Sequence, residues 1–354
     1  MTLTASGILS TRSSLTARSS EPSSITLAHG GGGRLTQQLI EEHFLPRFTN
    51  ATLRAMLDSA LIPAHGRLAF TTDGFVVQPI FFPGGDIGRL AVCGAVNDLA
   101  AVGAEPLWLA ASFILEEGLP FDQLDQILDS MAATAREAGI VLVAGDTKVV
   151  ERGAGDRIYI VTSAIGEPRL DPSPQPCLIR PGDAILVSGF LGEHGIAVLQ
   201  AREHFFDELP VVSDCAPLWP LVRGLAEAGV TPHALRDPTR GGLATVVAEL
   251  SCACGLAFSL DEDTIPVRGP VQTACEILGL DPLYLANEGK LVVVLPEALA
   301  ERALEILRSC PLGRDACRIG AVLEDASGLA LLRSRIGGTR ILESLSGEQL
   351  PRIC

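Results

Sequence analysis

Residues 107–148 read LWLAASFILEEGLPFDQLDQILDSMAATAREAGIVLVAGDTK, and this stretch decides the fold class. Leu107 to Leu115 is a nearly unbroken apolar run, short enough for a buried strand. Leu124, Ile127, Leu128, Met131, Ala132 and Ala135 then recur at helical spacing, and Gly139 supplies the stop. Ile140 to Ala144 is a second buried run, expected to end at Gly145-Asp146-Thr147. A strand, an amphipathic helix and a strand within about forty residues point to a layered α/β unit.

Working outward, Arg67–Thr72 predicts a strand stopping at Asp73-Gly74. Arg89–Val102 predicts a small-residue helix before Gly103, and Arg157–Ile165 another strand. Pro168, Pro172, Pro174, Pro176 and Pro181 crowd the next segment, which reads as a linker. Beyond it the alternation resumes. Ala184–Ser188 and Leu291–Leu295 are strands, a helix carries Leu243, Val246, Val247 and Leu250, and a late helix carries Leu299, Ala303, Ile306 and Leu307. No fixed-period repeat is present. The pattern lacks the short βα rhythm of a barrel, so the expected architecture is two α+β domains, at 25–170 and 178–345. They are flanked by a Ser/Thr-rich extension at 1–24 and a mobile tail at 346–354 that ends in Pro351-Arg352-Ile353-Cys354.

Composition narrows the function. The 354 residues carry 27 basic and 42 acidic side chains, a net charge of -15, and aromatics make up only 5%. That balance repels phosphate backbones and offers few stacking platforms, which argues against nucleic acid. Mean hydropathy is +0.33, yet the richest stretch, Leu90–Leu115, is broken by Asn97, Asp98, Glu105 and Pro106, so no spanning helix is expected. Nine cysteines without framework spacing, and no secretory signal, fit a reducing cytoplasmic setting.

Six features stand out as chemistry. Asp73, Asp98 and Asp146 come from separate elements. Asp98 sits inside an otherwise apolar helix, where an unpartnered carboxylate costs several kcal/mol. Together they suit Mg²⁺, which takes oxygen ligands and shares them with phosphates; as two turn acids and one exposed side chain they would do nothing. Gly30–Gly33 precedes a helix and offers N–H groups to a phosphate, although it matches neither the P-loop nor the dinucleotide fingerprint; a hinge is the plainer use. Lys148 follows Asp146 closely enough to meet phosphate charge, or else is a solvated surface side chain. Asp237-Pro238-Thr239-Arg240-Gly241-Gly242 is a helix start with two glycines that invite close approach. Asn287-Glu288-Gly289-Lys290 is a polar turn before an apolar strand. Cys354 is the last residue, where a swinging thiolate can accept a group and deliver it. The histidines form no zinc pair.

Taken in order, His29–Gly33, Thr72–Val77 (TDGFVV), Val96–Ala101 (VNDLAA), Gly145–Val150 (GDTKVV), Asp237–Gly242, Asn287–Gly289 and the terminal Pro-Arg-Ile-Cys closely resemble the HypE family of hydrogenase-maturation carbamoyl dehydratases. The likeness covers about residues 25–354, and the terminal motif separates this family from aminoimidazole ribonucleotide synthetase, selenophosphate synthetase and thiamine-monophosphate kinase. The resemblance implies the aminoimidazole ribonucleotide synthetase-like fold and a homodimer joined through the N-terminal sheets, with ATP near that interface. It further implies that a HypF carbamoyltransferase loads Cys354, that ATP drives dehydration of the thiocarboxamide to a thiocyanate, and that the cyano group passes to iron on a HypC–HypD complex. By motif position it assigns Mg²⁺ to Asp73, Asp98 and Asp146, and nucleotide contacts to Gly31, Gly32, Asp73, Asn97, Asp98, Thr147, Lys148 and Asp237. Chemistry falls to Cys354, Lys148 and Glu288. The alternatives are a small-molecule kinase or synthetase of the same superfamily, which needs no terminal cysteine, and a non-catalytic thiol carrier, which hydrolyses no ATP.

Overall fold

The structure, a computed structural model, describes residues 24–30, 34–50, 66–203, 211–345, 350 and 352–354. The expectations for the extension before Ser24, and for Gly31 and Gly32, lie outside these residues.

The N-terminal half is built on a four-stranded sheet in the order β1 (Ala69–Phe75), β6 (Ile158–Pro168), β4 (Ala104–Glu116), β5 (Val141–Val150). A short helix, α1 (Arg34–Leu39), precedes it, and the hairpin β2 (Phe81–Phe82) and β3 (Gly85–Asp86) leads into α2 (Ile87–Ala101). Strands β4 and β5 pair in parallel through the crossover helix α3 (Phe121–Ala138); the other pairs are antiparallel. Helix α3 forms because its apolar side chains share one stripe: Leu124, Ile127, Leu128 and Met131 are fully buried, each contributing roughly 1.5–3 kcal/mol of apolar burial. Gly139 ends it in the left-handed region at φ 74°. Helix α2 starts where the Asp86 carboxylate accepts from the Gly88 and Arg89 amides at 2.7 and 3.1 Å.

Two strands are longer than their sequence patterns suggest. Strand β1 runs through Asp73-Gly74 to Phe75, and β5 runs through Gly145-Asp146-Thr147 to Val150. Both lie at sheet edges with one neighbour each, and a polar side chain there, Asp73 toward the helices or Asp146 toward solvent, leaves the backbone ladder intact. Asp73 and Asp146 are therefore strand residues, not turn acids.

The C-terminal half carries a seven-stranded sheet ordered β13 (Thr339–Leu342), β12 (Ala330–Arg333), β9 (Phe258–Asp261), β11 (Cys317–Val322), β7 (Ala184–Val187), β10 (Val292–Leu295), β8 (Ala234–Arg236). Only β9 and β12 pair in parallel. Its helices are α4 (Glu193–Glu203), α5 (Trp219–Glu227), α6 (Gly242–Cys254), α7 (Gly269–Leu278) and α8 (Ala300–Ser309). Strands β7 and β10 are buried on both faces, hence their runs Ala-Ile-Leu-Val and Val-Val-Val-Leu. Leu186 and Val293 point into a core continuous with the N-terminal half, whereas Ile185 and Val292 point into a second core with α6. The first core includes Ile353 of the tail. Two sheets are thus joined by shared apolar packing as well as by the proline-rich connection. Among the described residues no helix is long and apolar enough to cross a membrane.

Candidate active site

Sheet register sorts the predicted acids. Thr71, Asp73 and Phe75 alternate on the helix side of β1, and α2 lies against that side. Asp98, on α2, accepts from the Thr71 hydroxyl at 2.7 Å. Asp73 accepts from the Gly74 amide at 2.8 Å. Asp237 follows β8, and with Asp98 it lines a cleft of ≈ 470 Å³ whose walls include Thr71, Val102, Pro176 and Leu235.

These carboxylates repel one another in a partly dry setting. Burial raises the Asp98 pKa against the Thr71 bond, with Asp73 adding to the rise. Burial also raises Asp73, opposed by the Gly74 amide and Arg240. Asp237 is pushed to about 6 by burial, with Asp98 and then Asp73 contributing. A divalent cation placed among them would remove this repulsion, so the donor set fits Mg²⁺ at Asp73 and Asp98, with Asp237 as a further ligand. No group of three such side chains already has metal-holding geometry among the described residues.

Glu288 lies close enough to Asp237 and Asp73 for their charges to act on it, and it does not line the cleft. It is 2% exposed, and burial raises its pKa well above the ordinary carboxylate value, with Asp237, Asp214, Cys93 and Asp73 adding. Its Oε1 has no hydrogen-bond partner. The turn that carries it is held on all sides. Asp214 accepts from the amides of Glu288 and Gly289 at 3.2 and 3.1 Å and from Lys290 Nζ at 3.1 Å. Asn287 donates to the Pro238 and Leu285 carbonyls and accepts from Gly192 N at 2.7 Å. Gly289 has no substitute there, because a Cβ would meet the Asp214 carbonyl oxygen at 1.8 Å.

Cys354 is docked beside this acid. Burial raises its thiol pKa well above 9, and the neighbouring Glu288 raises it further, while Arg240 opposes. Burial thus favours the neutral form of both groups. Ile353 is buried, and its carbonyl accepts from His194 Nε2 at 2.8 Å. The Arg352 carbonyl accepts from Arg202 Nη2 at 2.9 Å and from Gln78 N at 3.2 Å, and the Arg352 side chain reaches Gln78 and Asp156. The last three residues of the tail are fixed into the seam between the two halves.

The structure brings together Asp73, Asp98, Asp237, Glu288 and Cys354. It does not bring Asp146 and Lys148 to them. Ser112 and Ile114 of β4 pair with Asp146 and Lys148, and all four project from the opposite face of the sheet. There Lys148 Nζ holds Asp146 Oδ1 at 3.0 Å, both largely exposed. A three-acid site of Asp73, Asp98 and Asp146 is therefore not formed within one chain: even spacing on a strand puts Asp146 outward, whereas Asp73 lies inward on β1. Thr147 is buried on the inner face, where β5 packs on Leu27–Gly30 at the start of the glycine run. Asn97 also departs from its expected nucleotide contact. It is fully buried; its amide nitrogen donates to the Ala216 and Glu288 carbonyls at 3.2 Å each, and its oxygen accepts from Leu218 N at 2.8 Å. Its place is to fasten α2 to the Glu288 turn.

Sequence reasoning gave no role to His194, Arg202 or Asp214, and quoted Lys290 only as part of a polar turn. Nothing local marks them, since their partners lie from 74 to 159 residues away. Arg240 was within a quoted motif, and only the folded chain shows its charge acting on Asp73 and Cys354.

Comparison with known proteins places the whole chain. Residues 56–167 match the family described as AIR synthase related protein, N-terminal domain, and residues 180–330 match AIR synthase related protein, C-terminal domain. The carbamoyl dehydratase HypE of Cupriavidus necator is 51% identical over 332 residues, which is 93% of this chain and 95% of that protein. The Escherichia coli carbamoyl dehydratase HypE is 48% identical over 337 residues, 93% and 99% of the two chains. A crystal structure of hydrogenase maturation protein HypE in complex with ATP superposes with a TM-score of 0.89 at 48% identity, covering 93% of this chain and 99% of that one. A HypE–HypF complex gives 0.76 at 48% identity, covering 87% and 99%. A thiamine-monophosphate kinase from Stenotrophomonas maltophilia, 22% identical with a TM-score of 0.65, shares the fold alone. The chain belongs to the AIR synthase related family and, within it, to the HypE carbamoyl dehydratases of hydrogenase maturation.

Proposed function

We propose that this chain carries its substrate on its own last side chain and dehydrates it with ATP. A HypF carbamoyltransferase loads Cys354 Sγ with a carbamoyl group, giving a thiocarboxamide. With the tail docked, the carboxamide oxygen takes the γ-phosphoryl group of ATP. Loss of phosphate from carbon and of the N–H protons from nitrogen leaves S–C≡N, ADP and phosphate. The observation that carries this reading is the docked Cys354 sulfur beside Glu288, next to carboxylates that continue into the cleft.

Phosphoryl transfer to an amide oxygen is mostly a matter of position and charge neutralisation. Asp73 and Asp98, with Asp237, would hold Mg²⁺, whose charge would act on the transferring phosphoryl group. Glu288, whose burial favours the protonated form, hydrogen-bonds the carboxamide, passes its proton to the departing phosphate, and as a carboxylate then takes one amide proton, the other leaving to solvent. Arg240 supplies the fixed positive charge nearest the sulfur.

The opposite sheet face suits pairing of two copies. It carries Phe70, 68% exposed, with Val141, Val161 and Trp108. A homodimer through this face sets Asp146 and Lys148 of one copy toward the nucleotide of the other, so the phosphate-facing lysine acts across the interface. The product cyano group then leaves on the tail toward iron on a HypC–HypD complex.

Intact-mass spectrometry tests the reaction. With HypF, carbamoyl phosphate and ATP, the chain gains a carbamoyl group; with further Mg-ATP it loses one water. Persistence of the carbamoyl mass after the carbamoylated chain has been separated from HypF and incubated with excess Mg-ATP overturns the reading in favour of a carrier.

A further inference from the structure

Resting on the reading that Cys354 travels, we infer that α4 is a backbone latch for the tail, with His194 and Arg202 as positioning residues that set how long the thiol stays docked. The two side chains donate to consecutive tail carbonyls, His194 Nε2 to Ile353 O and Arg202 Nη2 to Arg352 O. Gln78 N, from the N-terminal half, donates to the Arg352 carbonyl as well. The tail is thus gripped from both sides of the seam by its main chain, a few bonds from the reacting sulfur.

His194 is built for this use. It is fully buried, with the Phe82 ring edge-on at 5.3 Å. Burial lowers its pKa, so the ring is neutral, and a neutral ring has one donor and one acceptor. Ser213 fixes which is which. Its Oγ accepts from Cys215 N at 3.1 Å, leaving its proton for His194 Nδ1 at 2.8 Å. Nε2 then carries the hydrogen and meets the Ile353 carbonyl. A Ser–His pair that points its one hydrogen at a terminal peptide has no part in phosphoryl transfer. Its neighbours on every side are Asp214, whose charge favours protonation, Ser213, Phe82 and the tail. The latch holds through the main chain, so loading the sulfur with a carbamoyl or cyano group leaves these bonds in place and the same grip serves both states.

The test reads tail release without needing turnover. Full-length chain is alkylated with iodoacetamide, and labelling of Cys354 is followed on the C-terminal peptide by mass spectrometry. His194→Ala should label roughly tenfold faster than wild type, the effect of losing one buried hydrogen bond. Gln places an amide N–H close to Nε2, so His194→Gln should label near the wild-type rate. Arg202→Ala, a half-exposed site that tolerates truncation, should also label faster. In the dehydration step, His194→Ala should lower the single-turnover rate of the carbamoylated chain, while carbamoylation by HypF stays unchanged or quickens. A folded His194→Ala chain labelled at the wild-type rate overturns the latch. Should His194→Ala not fold, a wild-type labelling rate in Arg202→Ala overturns it instead. Absence of thiocyanate in the wild type would refute the proposed reaction and leave the labelling result standing.

Discussion

Asp237 should weaken the fold it belongs to, and Asp237→Asn should reveal by how much. Its carboxyl is raised from 3.8 to about 6, chiefly by burial and then by Asp98. A folded-state value above the unfolded one means that the unfolded chain ionises first as pH rises. The contribution to stability is complete below about 3.8 and is lost through about 6. At about 1.4 kcal/mol per tenfold change in proton affinity, the gap amounts to about 3 kcal/mol at neutral pH, an upper figure because the cleft keeps one edge of the group hydrated. The amide of Asn keeps the shape and removes the charge. Urea unfolding across pH 3–8 should show wild type and variant converging below about pH 3.8, and a variant more stable by up to ~3 kcal/mol above pH 7. In thermal melts that is a rise of several degrees for a unit of this size. Dehydration by the same variant should fall, because a ligand-bearing carboxylate is gone. A stability difference that is flat with pH, or a variant less stable at pH 7, refutes the argument that Asp237 is held in the fold against its own electrostatics.

Glu288→Gln should lower the dehydration rate about 10²–10⁴-fold, the usual contribution of a positioned acid–base group; single-turnover mass spectrometry reads it, and a near-wild-type rate removes Glu288 from the chemistry. Cys354→Ala should abolish the carbamoyl and thiocyanate masses while leaving ATP binding intact by calorimetry. Gly289→Ala should cost ~2 kcal/mol or more, because its methyl would enter the Asp214 carbonyl, and it should slow dehydration by moving Glu288; chemical unfolding checks the first effect. If Lys148 serves the second copy's site, mixing inactive Lys148→Ala and Glu288→Gln chains and re-forming dimers should restore roughly a quarter of wild-type rate, since half the dimers are mixed and each has one complete site. No recovery would place Lys148 and Glu288 in the same copy's site.

The strand–helix–strand unit of the N-terminal half was legible because α3 is one stripe ended by a left-handed glycine, and β4 and the start of β5 are apolar runs, each with one buried face. Asp98 was legible for the same reason, as a charge in an apolar helix that must have a partner, and Thr71 is that partner. What failed was the side of the strand. Asp73 and Asp146 look alike in the chain, each an acid after an apolar run. One faces the helices and the other faces away, since parity along a strand is fixed by register with β4 and β6, which no local pattern records. Asn97 failed differently. An asparagine within a family motif reads as a ligand contact, yet its amide is consumed by three backbone partners more than a hundred residues away. Polar side chains that fasten remote turns leave no periodic trace.

The docked thiol and its acid neighbour explain why the tail has to move. A thiol whose pKa is raised well above 9 contributes almost no thiolate at neutral pH, so Cys354 is a poor nucleophile where it is seen. The site that dehydrates the carbamoyl group is thus unsuited to acquiring it. Loading requires the sulfur to leave burial and the neighbourhood of Glu288, which returns its proton affinity toward that of a free cysteine. The same docking has a use after dehydration, because the packed Ile353 and the seam around the half-buried Cys354 narrow the approach of a second thiol or water to a thiocyanate. Strong docking protects the intermediate and slows loading; weak docking does the reverse. A grip made of two or three main-chain hydrogen bonds, each worth about 1 kcal/mol net, is strong enough to favour the docked state and weak enough to release it, and that balance is what a substrate tethered to its own enzyme needs.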